Sequence, residues 1–137
     1  MRYVSTFSGI EAASVAWDCL GWEPMAFCEI DQFPSAVLAE RYPDVPNLGD
    51  MTKVDWRNFA NRNGKPDLLV GGSPCQSFSI AGTRTGLDGA SGLMWEYVRA
   101  VRELRPRWIL WENVPGALSR NSSSACLPST ASVITAP

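Results

Sequence analysis

Two uninterrupted apolar runs, DLLVGG at 67–72 and RWILW at 107–111, limit the folds open to this 137-residue chain. Neither run alternates apolar with polar residues, which is typical of strands that are covered on both faces within a parallel sheet. Between them, residues 93–104 carry their apolar side chains along one helical stripe. The order strand, helix, strand predicts a βαβ unit, because parallel neighbours need such a crossover.

The first 61 residues show the same alternation. The pattern predicts strands at 2–7, 24–28 and 46–48 and helices at 10–20, 32–42 and 54–61. In the first helix Ile10, Trp17 and Leu20 share one face. Gly21 is placed to end that helix, and Asp31 is placed to cap the next one. Strands that alternate with helices predict an α/β fold with a mostly parallel sheet flanked by helices.

Composition removes several classes of protein. The chain is 45% hydrophobic and 19% charged, which is typical of one soluble globular domain. Its net charge of -2 differs from the basic charge of most free-standing nucleic-acid binders, so positive charge for such a partner would come from outside this chain. The absence of histidine excludes Ser-His-Asp and Cys-His mechanisms, including those of cysteine peptidases.

Cellular context follows from what else the sequence lacks. None of the four cysteines forms a CxxC pair, so no zinc or other metal site is expected. We find no signal peptide and no stretch near the roughly 18 apolar residues of a membrane span. These features predict a protein of the reducing cytoplasm with free thiols and no membrane partner.

Polar residues follow each predicted strand at its carboxyl end. In chain order they are Phe7-Ser8-Gly9, Glu29, Asp50, Pro74-Cys75 and Glu112-Asn113. Parallel strands end at one edge of the sheet, and ligands of open α/β sheets bind at that edge. The sequence therefore predicts that these residues share one site.

Gly9 and Glu29 have the spacing of a nucleotide-binding sheet, because an acidic residue about 20 positions after the first turn reaches a ribose hydroxyl. The G-x-G-x-x-G pattern is absent, and Glu11 at this turn would repel a pyrophosphate. A nucleoside without phosphates is therefore favoured over NAD or FAD. A plain tight turn at Gly9, and helix capping by Glu29 and Asp50, stay open as alternatives.

Cys75 lies in GGSPCQSFS, where the strand opens into a Gly- and Ser-rich loop at 80–92. Pro74 fixes its own φ and biases Ser73 towards extended geometry, so the thiol follows a stiff segment. A nucleophile and an inert thiol remain equally good interpretations. A right-handed crossover would bring Glu112 near Cys75. A carboxylic acid beside a thiol suits a reaction in which a substrate ring is protonated as sulfur adds.

Five motifs together resemble the N-terminal part of the DNA cytosine-5 methyltransferase family. They are FSGIEAA at 7–13, EID at 29–31, GD at 49–50, GGSPCQSFS at 71–79 and WENVPG at 111–116. The resemblance covers residues 1–118 as a cofactor-binding and catalytic part. It implies a Rossmann-like S-adenosylmethionine-dependent methyltransferase fold, C-terminally truncated, in a cytoplasmic protein of bacterial or phage-encoded type.

The resemblance implies methyl transfer from S-adenosylmethionine to carbon 5 of a cytosine flipped out of DNA. Cys75 would be the nucleophile that adds to carbon 6, and Glu112 the acid that engages N3. Phe7 would pack on the adenine, Glu29 would bind the ribose hydroxyls and Asp50 the adenine amino group. Further cofactor contacts would come from Ser8, Gly9, Ile10, Ile30, Met51, Pro74 and Leu93. Further substrate contacts would come from Gln76, Ser79 and Asn113.

Two departures from the family pattern matter. Glu11 and Ala12 stand where the family has glycines. After WENVPG there is no Q-x-R-x-R motif and no target-recognition domain, and residues 119–137 are expected to be a disordered or non-native tail. We therefore expect a complementing chain to carry target recognition. An inactive remnant that at most binds S-adenosylmethionine, and an enzyme acting on RNA, remain alternatives.

Arg99, Arg102 and Arg105 recur every third residue near the end of the predicted helix at 93–104. They could contact DNA phosphates. A solvated face that complements the helix dipole is the favoured interpretation.

Overall fold

The computed structural model describes residues 1–74 and 92–113 and the backbone of 132–135. The strands are β1 (Arg2–Thr6), β2 (Glu23–Cys28), β3 (Leu68–Gly71), β4 (Trp108–Trp111) and β5 (Ser132–Thr135). The helices are α1 (Ala12–Trp17), α2 (Gln32–Arg41), α3 (Trp56–Asn63) and α4 (Gly92–Leu104). Short 3-10 turns lie at Asp18–Leu20 and Met51–Lys53. None of these helices is long and apolar enough to cross a membrane.

The strands form one sheet in the order β2-β1-β3-β4-β5. β1 to β4 run parallel, and β5 pairs antiparallel with β4 at the edge. The predicted α/β class with a mostly parallel sheet flanked by helices is confirmed. The pairing also aligns the strand ends, because Thr6 lies opposite both Cys28 and Gly71, and Gly71 lies opposite Trp111. The residues that follow these strands therefore begin at a common edge.

α4 covers one face of the sheet. Its buried residues Tyr97, Ala100 and Leu104 join a core cluster with Val4, Leu69 and Trp111. This stripe explains why the amphipathic segment folds as a helix, since burying each large apolar side chain stabilises the fold by about 1.5–3 kcal/mol. The Tyr97 hydroxyl lies 3.0 Å from the carbonyl oxygens of both Leu69 and Leu110, which ties α4 to β3 and β4.

α1 begins later than predicted and buries a different face. Glu11 adopts a left-handed backbone (φ 68°), so the helix begins at Ala12 and Ile10 lies outside it. Ile10 and Leu20, which were predicted to lie on its apolar face, are more than half exposed. Ser14 is the buried residue of the helix, and its hydroxyl is 2.6 Å from that of Tyr3. Gly21 ends the following 3-10 turn at φ 64°, as predicted.

Three further differences concern short elements. The strand predicted at 46–48 is only a single bridge between Phe27 and Asn47, because the chain turns at Gly49. Asp31 precedes α2 as predicted, but its side chain makes no cap hydrogen bond. In the tail expected to be disordered, 132–135 form β5, since the β-branched Val133 and Ile134 find a partner in the edge of β4. The rest of 114–137 lies outside the described residues.

An apolar groove of about 360 Å³ lies on the face of the sheet that α4 does not cover. It is lined by Met1, Trp17, Trp22, Leu68, Trp108, Ile109 and Leu110. Trp17 also packs edge-on against Tyr3, with 5.2 Å between ring centroids.

Candidate cofactor and catalytic site

A cavity of about 320 Å³ opens at the carboxyl edge of β1, β2 and β3. Among the residues predicted for the site, it gathers Phe7, Glu29, Ile30, Asp50, Met51, Pro74 and Leu93. Cys28, Asp31, Gly49 and Gly72 line it as well. The common strand edge that the sequence predicts is therefore a real concavity with acidic and apolar walls.

Ser8, Gly9 and Ile10 do not line this cavity but build the turn beside it. The Gly9 amide donates a 2.7 Å hydrogen bond to Glu29 Oε2. The Ser8 hydroxyl donates to the Ser5 carbonyl and accepts from the Cys28 amide. Ile10 is 53% exposed. These contacts join the ends of β1 and β2 and hold the Glu29 carboxylate in place.

Glu29 is fixed by backbone amides at both carboxylate oxygens. Oε2 accepts from Gly9, and Oε1 accepts from the amides of Ile30 and Asp31 at 2.8 Å each. A carboxylate offers about four acceptor positions, so capacity remains for a hydroxyl in the cavity. The sequence left open a helix-capping role for Glu29; its carboxylate does bond the two amides that precede α2, and these bonds are compatible with ligand binding.

Asn47 is a residue that the sequence analysis missed. Its Oδ1 accepts from the amides of Glu29 and Gly49, and its Nδ2 donates to the Glu29 carbonyl and the Ser35 hydroxyl. One side chain therefore connects the end of β2 to the turn that carries Asp50. Its place two residues before Gly49 was an available signal, because an Asn side chain commonly bonds the backbone amide two residues on.

Asp50 caps the 3-10 turn at Met51–Lys53. Its Oδ1 accepts from the Thr52 amide at 3.0 Å and from the Thr52 hydroxyl at 2.8 Å. These hydrogen bonds lower the pKa of Asp50, so the group is a carboxylate at neutral pH. Its other oxygen lies 3.3 Å from Lys53 Nζ at the surface.

Cys28 forms a buried part of the cavity wall. Burial raises the pKa of its thiol to about 12, and the charges of Asp50 and Glu29 act in the same direction. A thiol of this kind stays protonated and unreactive at neutral pH. Within the described residues, no group of three or more His, Cys, Asp or Glu side chains could hold a metal ion.

Glu11 corrects one step of the sequence argument. Its side chain does not face the cavity: it is fully buried, and its Oε1 accepts hydrogen bonds from the amide and hydroxyl of Ser14. Burial raises the pKa of Glu11, which favours the neutral acid. The proposed repulsion of a pyrophosphate by Glu11 is therefore wrong. The acidic groups that do line the cavity are Glu29, Asp31 and Asp50.

Glu112 lies against the segment that leads to Cys75. Its amide donates to the Gly71 carbonyl at 3.1 Å, and a Cβ added to Gly72 would lie 2.7 Å from Glu112 Oε2. Gly72 lines the cavity, so the Glu112 carboxyl lies next to a lining residue, although Glu112 is not itself among the lining residues. The predicted adjacency of the two strands is confirmed by the pairing of β3 with β4. Cys75, Gln76 and Ser79 lie outside the described residues.

Ser73 is held by two side chains that follow β4. Its buried hydroxyl is 3.2 Å from Trp111 Nε1 and 3.1 Å from Asn113 Nδ2, and its carbonyl accepts from Asn113 at 3.1 Å. Asn113, predicted to contact the substrate, thus fixes the residue two positions before Cys75. This is a second link between the ends of β3 and β4.

The fold is that of a methyltransferase. A predicted DNA modification methyltransferase encoded within an Escherichia coli prophage superposes with a TM-score of 0.72 at 27% identity, over 88% of this chain and 34% of that one. Schizosaccharomyces pombe Dnmt2 methyltransferase superposes with a TM-score of 0.65 at 20% identity, over 85% of this chain and 37% of that one. The expected Rossmann-like methyltransferase fold is confirmed, and the class as a whole uses S-adenosylmethionine.

The sequence model of C-5 cytosine-specific DNA methylases matches residues 1–134, so the chain belongs to that family. A DNA N-6-adenine-methyltransferase of Escherichia phage P1 is 54% identical, over 85% of this chain and 17% of that protein. The orphan methyltransferase M.SPRI of Bacillus phage SPR is 36% identical, over 90% of this chain and 28% of that protein. Type II methyltransferase M.AquIA of a Picosynechococcus strain is 34% identical, over 90% of this chain and 52% of that protein. The chain thus spans about half or less of these relatives.

Proposed function

We propose that this chain is the cofactor-binding and catalytic part of a DNA cytosine-5 methyltransferase, and that a complementing chain supplies target recognition. The observation that carries the proposal is the position of Glu112. Its carboxyl lies beside Gly72, which lines the same cavity as Glu29 and Asp50. This closeness of Glu112 to a residue of the cavity wall supports an acid for the target ring beside the acceptors for a nucleoside.

The cavity suits the nucleoside part of S-adenosylmethionine. Phe7 and Leu93 supply apolar surface for the adenine, and the carboxylates of Glu29 and Asp50 are acceptors for ribose hydroxyls and an adenine amino group. None of the described residues that line the cavity is Lys or Arg. That charge pattern disfavours phosphates and favours a ligand with a positive sulfonium.

The proposed chemistry begins with addition of the Cys75 thiolate to carbon 6 of a flipped cytosine. Glu112 stabilises the adduct by giving a proton or hydrogen bond to N3 as negative charge develops on the ring. S-adenosylmethionine supplies the methyl group on its sulfonium and leaves as S-adenosylhomocysteine. Carbon 5 forms the new carbon–carbon bond, a base then removes the carbon-5 proton, and the thiolate is expelled as any proton on N3 returns to Glu112.

Four residues near Cys75 have supporting parts in this proposal. Trp111 and Asn113 anchor Ser73, which limits the motion of the chain just before Cys75. By family resemblance, Gln76 and Ser79 contact the target nucleotide. Cys28 has no covalent role, because its thiol is buried and protonated.

A second candidate is methylation of adenine at N6, favoured by the name of the phage P1 relative. This chain matches only 17% of that protein, so the named activity need not lie in the matched part. Attack by an exocyclic amine on a methyl group also needs no cysteine adduct, and it leaves Cys75 and Glu112 without a task. Cytosine-5 transfer uses both and is therefore the better supported candidate.

Calorimetric titration of the purified chain with S-adenosylmethionine tests cofactor binding. Binding is expected, and Glu29→Ala should abolish it, whereas Glu23→Ala is a control at an exposed position outside the cavity. Absence of heat at millimolar ligand would favour the non-binding remnant.

Trapping on 5-fluorocytosine DNA tests the chemistry, because fluorine at carbon 5 blocks release of the thiol. A covalent adduct should form with S-adenosylmethionine and a complementing chain, and Cys75→Ser should abolish it. The same trapping reaction with RNA of matched sequence tests the alternative that the enzyme acts on RNA, which predicts an adduct with RNA and none with DNA. If the products on ordinary DNA contain N6-methyladenine and no 5-methylcytosine, the cytosine proposal is wrong.

A further inference from the structure

The spacing of the three arginines suggested a solvated face. For Arg99 that interpretation is wrong. Its side chain is 30% exposed, and its guanidinium donates to three backbone carbonyls of another element. Nη1 donates to Val54 at 3.1 Å, and Nη2 donates to Met51 at 3.0 Å and Thr52 at 3.3 Å. Arg99 thus binds the end of the 3-10 turn that follows Asp50.

Two acidic side chains of α4 orient the guanidinium. Glu96 Oε2 lies 2.7 Å from Arg99 Nε, and Glu103 Oε2 lies 3.3 Å from Nη1. Carboxylates on both sides fix the plane of the fork and leave the remaining N–H groups directed at the turn. The neighbouring Arg102 is exposed and lacks any such contact among the described residues.

This contact joins two walls of the cavity. Asp50 and Met51 line it from the turn, and Leu93 lines it from the first residues of α4. Because Arg99 lies in the middle of α4, it sets how closely that helix approaches the turn. Met51 on one wall is thus bonded directly to the helix that carries Leu93 on the other.

We propose that Arg99 is a positioning residue for the nucleoside end of the cofactor, acting through Asp50. The inference rests on the proposed function, because it takes Asp50 as the acceptor for the adenine amino group. Arg99 does not touch the ligand. It holds the backbone of the turn, so that the Asp50 carboxylate keeps one position relative to α4. Only a planar fork serves three carbonyls and two carboxylates together, so Lys cannot replace it.

The test compares Arg99→Gln and Arg99→Lys with Arg102→Gln in the full 137-residue chain. Calorimetry with S-adenosylmethionine should show affinity weakened about tenfold in both Arg99 variants and unchanged in Arg102→Gln. Hydrogen exchange without ligand should show faster exchange of the Lys53 and Val54 amides, which bond to Asp50 and Met51, only in the Arg99 variants.

A double-mutant cycle with Asp50→Asn separates positioning from general destabilisation. If Arg99 acts through Asp50, Arg99→Gln should add less than twofold to the loss already caused by Asp50→Asn. Multiplicative effects would overturn the proposal. Equal affinity in Arg99→Gln and Arg102→Gln would also overturn it, while leaving the proposed function intact. Absence of binding in the unmodified chain would instead refute the proposed function, and this inference with it.

Discussion

Replacing Gly71 with Ala tests the close packing of β1 against β3, which sets the position of the segment leading to Cys75. A Cβ at Gly71 would overlap Thr6 Oγ1, lie 2.6 Å from the Thr6 carbonyl oxygen and lie 3.2 Å from Tyr97 Cε2. Thr6 pairs with Gly71 in the sheet register, so its carbonyl cannot turn away. The two strands must separate locally to admit one methyl group.

The expected cost follows from two opposing effects. Overpacking a close-packed interior costs about 1–3 kcal/mol, and contact with backbone atoms places this site at the upper end. Replacement of Gly by Ala lowers the entropy of the unfolded chain and returns about 0.4–1 kcal/mol. The free energy of unfolding should therefore fall by about 2 kcal/mol. With a urea dependence of about 1–3 kcal/mol per molar, the unfolding midpoint falls by about 1 M.

Urea unfolding followed by tryptophan fluorescence measures this change, since the chain has six tryptophans. Gly92→Ala is the matched control: no atom lies within 4 Å of its added Cβ, so the free energy of unfolding should stay the same or rise by up to about 1 kcal/mol. Thr6→Ala removes one of the overlapping atoms. The loss of unfolding free energy that Thr6→Ala causes should therefore be smaller in the Gly71→Ala background than in the parent chain. Equal midpoints for Gly71→Ala and Gly92→Ala would refute the packing argument.

Three further predictions test the surroundings of the site. Glu11→Gln should become more stable relative to the parent as pH rises above about 4.3, because the raised pKa of buried Glu11 means that its ionisation opposes folding. The difference in the free energy of unfolding should grow by at most about 1.4 kcal/mol per pH unit. A difference in urea midpoints that does not change with pH would contradict this. Iodoacetamide at pH 8 should label exposed Cys19 in the native chain but Cys28 only after unfolding, as peptide mass spectrometry can establish; early labelling of Cys28 would exclude a buried thiol. Gly72→Ala should displace the Glu112 carboxyl and lower the yield of the 5-fluorocytosine adduct about tenfold; an unchanged yield would contradict the closeness of Glu112 to Gly72.

The sheet could be predicted from the sequence because its strands are signalled locally. DLLVGG and RWILW are apolar runs bounded by Pro or charged residues, and they form β3 and β4 almost as predicted. The gathering of Phe7, Glu29 and Asp50 then follows from strand direction alone.

What could not be predicted depends on register and on distant contacts. The hydrogen bond from Gly9 to Glu29 needs the pairing of β1 with β2, and the binding of three carbonyls by Arg99 needs the docking of α4 on the turn after Asp50. The spacing of the arginines along one helix contains no information about a turn more than 40 residues away. β5 was missed because its apolar pair, Val133 and Ile134, becomes a strand only when β4 offers an edge.

The acidic groups of the cavity are arranged before any ligand binds. Glu29 accepts hydrogen bonds from three amides, and Asp50 accepts them from the amide and hydroxyl of Thr52. Because these bonds fix both carboxylates, neither has to reorganise when a ligand binds. The lowered pKa of Asp50 keeps it charged at neutral pH. The cavity has no Lys or Arg among its described lining residues, and the one cation beside its acids is the surface Lys53 paired with Asp50, so this charge pattern supports the proposed preference for a cationic ligand over a phosphate. The proposed preference for a nucleoside with a positive centre thus rests on how the chain folds around Glu29 and Asp50.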